Sequence, residues 1–281
     1  MTTRDASSGP RLTEPLRDLA AWTAHFKAAE IPVLASTAAA LEALRANEDL
    51  ADANGIGEMI AGDPLMTLKV LVHAAAHRSS RVVTPTETVT AALVMMGISP
   101  FFNAFGPQPT VEERLADMPE ALAGLTDTLH RAQRSADFAL GFAVHRMDHA
   151  AAVLHAAALL HDFAEMLLWS EAPVLASRIR QAQHADPALR SGVAQRAILN
   201  IELADLQQAL MKAWRLPEAL IRINDDRHAD TPSVRSVALA VRLARHSAQG
   251  WDNPAIPDDV SEIAQLLNLS QTAALQLVQS I

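Results

Sequence analysis

His161 and Asp162 stand side by side at the end of an apolar run that begins near Ala150, and Glu165 follows one turn later. An imidazole beside a carboxylate in that setting can tie helices together at a buried polar point, each group bonding to the neighbouring helix or to backbone. A second group, Asp225-Asp226-Arg227-His228 followed by Asp230, brings carboxylates and an imidazole together. Asp225, Asp226 and His228 could hold a ligand or a metal there, although the same composition suits a solvated connection between helices. His145 and His149 have the four-residue separation that places two imidazoles on one helix face, and His155 follows. Arg146, Asp148 and a break at Met147 point instead to a helix end whose polar groups face water.

Composition removes several chemistries. The 281 residues contain no cysteine, which excludes disulfides, iron-sulfur clusters and thiolate catalysis and suits a reducing cytoplasm, the expected location. No serine sits in a nucleophile elbow and no glycine-rich phosphate loop occurs. A net charge of -9 repels phosphate backbones, so nucleic acid is not an expected partner. A membrane is not expected either, because even the most apolar stretch, 144–168, carries His145, Arg146, Asp148, His149, His161, Asp162 and Glu165.

Helices must position these groups. Apolar side chains recur at three- and four-residue spacing, often in alanine-rich runs, and predict helices over 16–27, 37–46, 64–77, 88–96, 121–145, 150–169, 203–214, 233–248 and 270–279. No alternating β-branched run of strand length appears, so the expected fold is all-α. Asp63-Pro64 reads as a helix start, a capping acceptor followed by a proline whose missing N–H costs nothing. The stretch 99–110, with Pro100, Gly106, Pro107 and Pro109, is the least helix-compatible internal segment and is the expected junction, across which Phe101, Phe102 and Phe105 should pack. The expected division is 1–21 as tail and start of the first helix, 22–110 as an N-terminal helical part, 111–248 as a second helical subdomain, and 249–281 as a C-terminal helical extension. Residues 260–271 have the apolar pattern of a helix-turn-helix, yet no Lys or Arg follows Arg245. They read as an amphipathic pair closing the core.

Five motifs, taken in order, resemble one family. They are Ile31-Pro32-Val33-Leu34, the Asp63-Pro64 start within residues 60–67, residues 88–97 ending in Met95-Met96-Gly97, Leu159-Leu160-His161-Asp162, and Trp214-Arg215-Leu216-Pro217-Glu218. Together they are similar to the HDOD domain, a signalling-associated relative of the HD phosphohydrolases. The resemblance implies an N-terminal helical bundle joined to an HD-like helical subdomain. In the HD superfamily the His-Asp pair binds a divalent metal together with an upstream His and a downstream Asp, and a Gly and a Lys follow the pair. Here Ala164 and Glu165 follow. The upstream position falls near Arg134-Ser135, with His130 the nearest histidine, and the downstream motif corresponds to Leu239-Ala240-Val241, where Val241 has no lone pair to offer. The resemblance therefore implies a vestigial site of His161, Asp162, Glu165, Arg134 and Val241, with no catalytic residue and no cofactor. If any metal binds, it binds at His161 and Asp162.

The expected function is a non-catalytic regulatory module in bacterial signal transduction, acting through a protein partner or a small ligand near that vestigial site. Two alternatives remain open. One is a metal-dependent phosphohydrolase using His161 and Asp162 with unorthodox ligands such as His130, Asp225 or Asp226. The other is a DNA-binding regulator acting through the C-terminal helices.

Overall fold

A computed structural model describes residues 11–77, 86–228 and 230–281. Among the described residues the architecture is all-helical, without a strand. The one extended pairing among them is a parallel bridge between Val33 and Thr110. There Val33 N donates to Pro109 O at 3.0 Å and Val111 N donates to Val33 O at 2.9 Å, which closes the segment between them into a unit.

Within that unit, Val33, Leu41, Ile56, Ile60, Met66, Val70, Leu93 and Phe101 form one apolar core. Asp63 organises its entrance. One carboxylate oxygen accepts from Leu65 N and Met66 N at 2.9 and 3.0 Å, and the other accepts from Leu34 N at 2.9 Å. The cap of helix Pro64–Ala76 thus also fastens the Ile-Pro-Val-Leu segment, so two of the sequence motifs form one joint. Gly97, at φ 85°, ends helix Val89–Met96 in a backbone conformation that favours glycine.

Helix Ile98–Ala104 begins at once, in the segment expected to be least helical. Pro100 lies in its first turn, where a missing N–H breaks no helical bond. Phe101, Phe102 and Phe105 fill the N-terminal core rather than packing across a junction.

Helix Pro64–Ala76 serves two cores. Met66 and Val70 face the first, while Leu65, Leu68 and Leu71 join a larger one. The larger core is built on the 27-residue helix Pro119–His145, which packs against Ala151–Leu159 and Pro232–His246. Helix Leu19–Ala28 belongs there as well: Trp22 is buried, its indole N–H donates to Leu199 O at 2.9 Å, and the helix lies on Leu203–Ala213. Helices Ile256–Leu267 and Gln271–Ser280 close this core with Val260, Ile263, Leu267, Ala274 and Val278.

The run expected as one helix over 150–169 is two, Ala151–Leu159 and Phe163–Glu171, separated by the turn that carries His161 and Asp162. Taken as a single stretch, Ala151–Glu171 is long and apolar enough to cross a membrane, and 61% of its apolar window is buried inside the protein.

Candidate functional site

The turn between the two helices is tightened by bonds from His161 N to Ala158 O at 3.2 Å and from Phe163 N to Leu160 O at 3.3 Å, each reaching back three residues instead of four. Leu160 and Phe163 anchor it in the core, and Phe163 packs against Trp214 of the Trp-x-Leu-Pro-Glu turn with ring centroids 5.8 Å apart. Asp162 occupies the N-cap position of Phe163–Glu171, yet its side chain makes no capping hydrogen bond. It is turned to other partners.

Those partners are charged. His161 Nδ1 lies 3.1 Å from Asp162 Oδ1, and its Nε2 lies 3.2 Å from Asp226 Oδ1, so a carboxylate engages each ring nitrogen. Arg245 places a guanidinium nitrogen 3.5 Å from Asp162 Oδ2. Arg131 donates to Glu165 at 2.9 Å, and Thr128 donates to the other Glu165 oxygen at 3.1 Å. Burial alone would pull the His161 pKa down, but the hydrogen bonds and charges of Asp162 and Asp226 outweigh it and raise the pKa to about 9. For Asp162, burial pushes upward and is overcome by Arg245, His161 and Arg131, which hold the carboxyl well below the usual carboxylate range. At neutral pH His161, Arg131 and Arg245 therefore balance Asp162, Glu165 and Asp226 within one cluster.

This arrangement does not fit a bound divalent metal. Arg131 and Arg245 bring positive charge to the carboxylates a metal would need, and both nitrogens of His161 are already engaged. Among the described residues no group of three or more His, Asp or Glu side chains is arranged to hold an ion.

The residues singled out from sequence fall in several places. Arg134 lies one turn from Arg131 on the same helix, but it donates to Ser247 O at 3.0 Å and its guanidinium stands 5.4 Å from the centre of the Phe138 ring. Val241 is buried in the larger core. The Asp225 and Asp226 side chains part company: Asp226 reaches His161, whereas Asp225 accepts from Arg227 Nε at 2.8 Å, and His228 is exposed with its Nε2 3.8 Å from Asp225. His130 is exposed, as are His145, at the end of its helix, and His149, in the turn beyond it. His155 is separate from all of these and lines an apolar cavity of about 730 Å³ with Leu140, Val94 and Met95. Burial lowers its pKa.

Two members of the cluster were not singled out from sequence, Arg131 and Arg245. Spacing marks the helix face on which each lies, though not the turn. Arg131 is three residues before Arg134, and Arg245 is four residues after Val241, each on the same helix face as the position that was marked. Beside the cluster lies a cavity of about 720 Å³ whose wall includes Arg131, Glu165 and Arg245.

A His-Asp turn set between packed helices, with an N-terminal helical unit fastened by a bridge and a buried aspartate, defines an all-helical protein of the HD-like class. The profile of the HDOD domain matches residues 31–229, and the chain belongs to that family. The MmoQ response regulator from Methylococcus capsulatus str. Bath is similar in structure, with a TM-score of 0.65 at 19% sequence identity, the match covering 89% of this chain and 98% of that one. A virulence factor from Campylobacter jejuni subsp. jejuni is similar too, with a TM-score of 0.64 at 16% identity, covering 93% and 97% of the two chains. At these identities the likeness is one of fold. No curated protein matches the chain.

Proposed function

We propose that the protein is a non-catalytic HDOD-type regulatory module of bacterial signal transduction, acting through a protein partner or a small ligand near its vestigial His-Asp site. The observation that carries this reading is the placement of the protein's own cations against both carboxylates: Arg131 donates to Glu165 at 2.9 Å, and Asp162 lies 3.1 Å from His161 and 3.5 Å from Arg245. Metal-dependent phosphoester hydrolysis needs an ion that polarises the phosphate and activates water. A carboxylate already faced by a cation of the protein offers such an ion less negative charge to bind. Membership of the HDOD family supports the signalling role, as does the fold shared with a protein described as a response regulator. The test is turnover of a chromogenic phosphodiester, bis-p-nitrophenyl phosphate, with manganese or magnesium added. The expected rate equals the blank. Turnover that disappears in both His161→Ala and Asp162→Ala variants contradicts the proposal.

One observation favours the runner-up, a metal-dependent phosphohydrolase: Asp226, from a distant part of the chain, lies 3.2 Å from His161 Nε2. That reading requires His161 to give up its carboxylate partners for a metal, and it predicts that added manganese raises the melting temperature of the wild-type protein but not that of Asp226→Ala.

A further inference from the structure

The cavity beside the His-Asp cluster is cationic in an acidic protein. Four arginines, Arg131, Arg134, Arg180 and Arg245, line it against two carboxylates, Asp127 and Glu165. The carboxylates are taken: Arg180 holds Asp127 at 2.9 Å and Arg131 holds Glu165 at 2.9 Å. Arg134 spends its hydrogen bond on a neutral backbone carbonyl, and Arg245 meets only Asp162, at the long distance of 3.5 Å. Among the described residues Arg134 therefore makes no ion pair and the pair of Arg245 is the loosest in the wall, in a chain whose net charge is -9.

The remainder of the wall mixes apolar side chains, Leu168, Trp169 and Ile179, with polar ones such as Gln183, His184 and Gln195. A volume of about 720 Å³ lies in the range of small-molecule sites.

We infer that this cavity is an anion-binding site for a phosphorylated small molecule, recognised by arginines without any metal. The phosphate would lie between Arg134 and Arg245, and the rest of the molecule would extend along the mixed polar wall. Guanidinium groups suit this task because their planar donors match phosphate oxygens. Arg245 would then couple ligand to cluster, since a phosphate draws its guanidinium from Asp162. The inference rests on the metal-free regulatory reading and names the ligand class that such a module would sense.

The experiment is calorimetric titration of the full chain with AMP, and separately with adenosine, in buffer containing EDTA. AMP is expected to bind saturably, with adenosine at least about tenfold weaker, because each charged hydrogen bond to the phosphate contributes about 1.5–3 kcal/mol, and 1.4 kcal/mol is tenfold. Arg134→Gln and Arg245→Gln should each weaken AMP about tenfold or more while remaining folded by circular dichroism at the titration temperature, and Arg134→Lys should recover part of the loss. Absence of saturable AMP binding up to millimolar concentration, equal affinity for adenosine, or unchanged AMP affinity in both glutamine variants overturns the inference and leaves a module working through protein contacts. Release of phosphate from AMP on adding manganese does the reverse: it contradicts the regulatory reading while the anion site stands.

Discussion

Asp63 and Asp162 occupy the same local position, the residue just before a helix, and the protein uses them in opposite ways. Asp63 is 1% exposed and turns its carboxylate to backbone N–H groups, two in its own helix and one at Leu34. Asp162 leaves its own helix uncapped and faces His161 and Arg245. Their acidities diverge accordingly. Burial raises the Asp63 pKa despite hydrogen bonds from Leu34, Met66, Thr37 and Leu65, because neutral donors offset the loss of water only in part. Full cations do more, and Asp162 ends far below its ordinary value. A carboxylate answered by backbone is architecture. One held out for cations is a site, and here the protein supplies the cations from its own side chains.

The comparison can be broken from either end. Asp63→Ala should have the largest effect, about 3–5 kcal/mol of lost stability, since it removes a cap and leaves three N–H groups at a buried joint without their acceptor. Chemical denaturation measures this, and a loss under about 1 kcal/mol would show that the joint between the two motifs contributes little.

The charged cluster should reveal itself through pH. The folded pKa of His161, about 9, lies above the unfolded value near 6.5. Its contribution is therefore full below about pH 6.5 and is lost as pH rises through 9. Because Asp226 is 61% exposed, the expected loss is discounted to on the order of 2 kcal/mol. Denaturant midpoints between pH 6 and 10 should show this fall in the wild type and a flatter profile in His161→Gln. Parallel profiles would mean that the cluster does not hold the imidazolium.

Arg180→Gln marks the small end of the scale. Arg180 and Asp127 form a surface pair with side chains 42% and 57% exposed, and its loss should cost under about 0.5 kcal/mol in the same denaturation assay. A cost above about 1 kcal/mol would show that exposed and enclosed ion pairs in this cavity wall do not differ as the comparison requires.

The sequence made most long elements legible because alanine-rich and amphipathic runs repeat at helical spacing over several turns, but it missed the 13-residue helix Pro173–Ala185. The short helices were hidden by glycine and proline, whose reasons are tertiary. In Ala53–Ile60, a Cβ at Gly57 would lie 2.3 Å from Thr90 Oγ1, so glycine is there for close packing and not as a helix breaker. Pro100 likewise marks a first turn and not an end to helix. The His-Asp pair was visible as a motif, but the link from Asp226 to His161 spans 65 positions and depends on the path of the chain. Periodicity could mark the faces that carry Arg131 and Arg245. It could not select the turn on each face, because residues three or four apart look alike until the opposing helix is in place.

The central claim is that arginine has taken the place of metal at the His-Asp turn. Elemental analysis of protein purified without a metal-charged column tests it most directly. The account predicts folded protein with far less than one transition-metal ion per chain. A near-stoichiometric ion, lost in His161→Ala and Asp162→Ala, would contradict it.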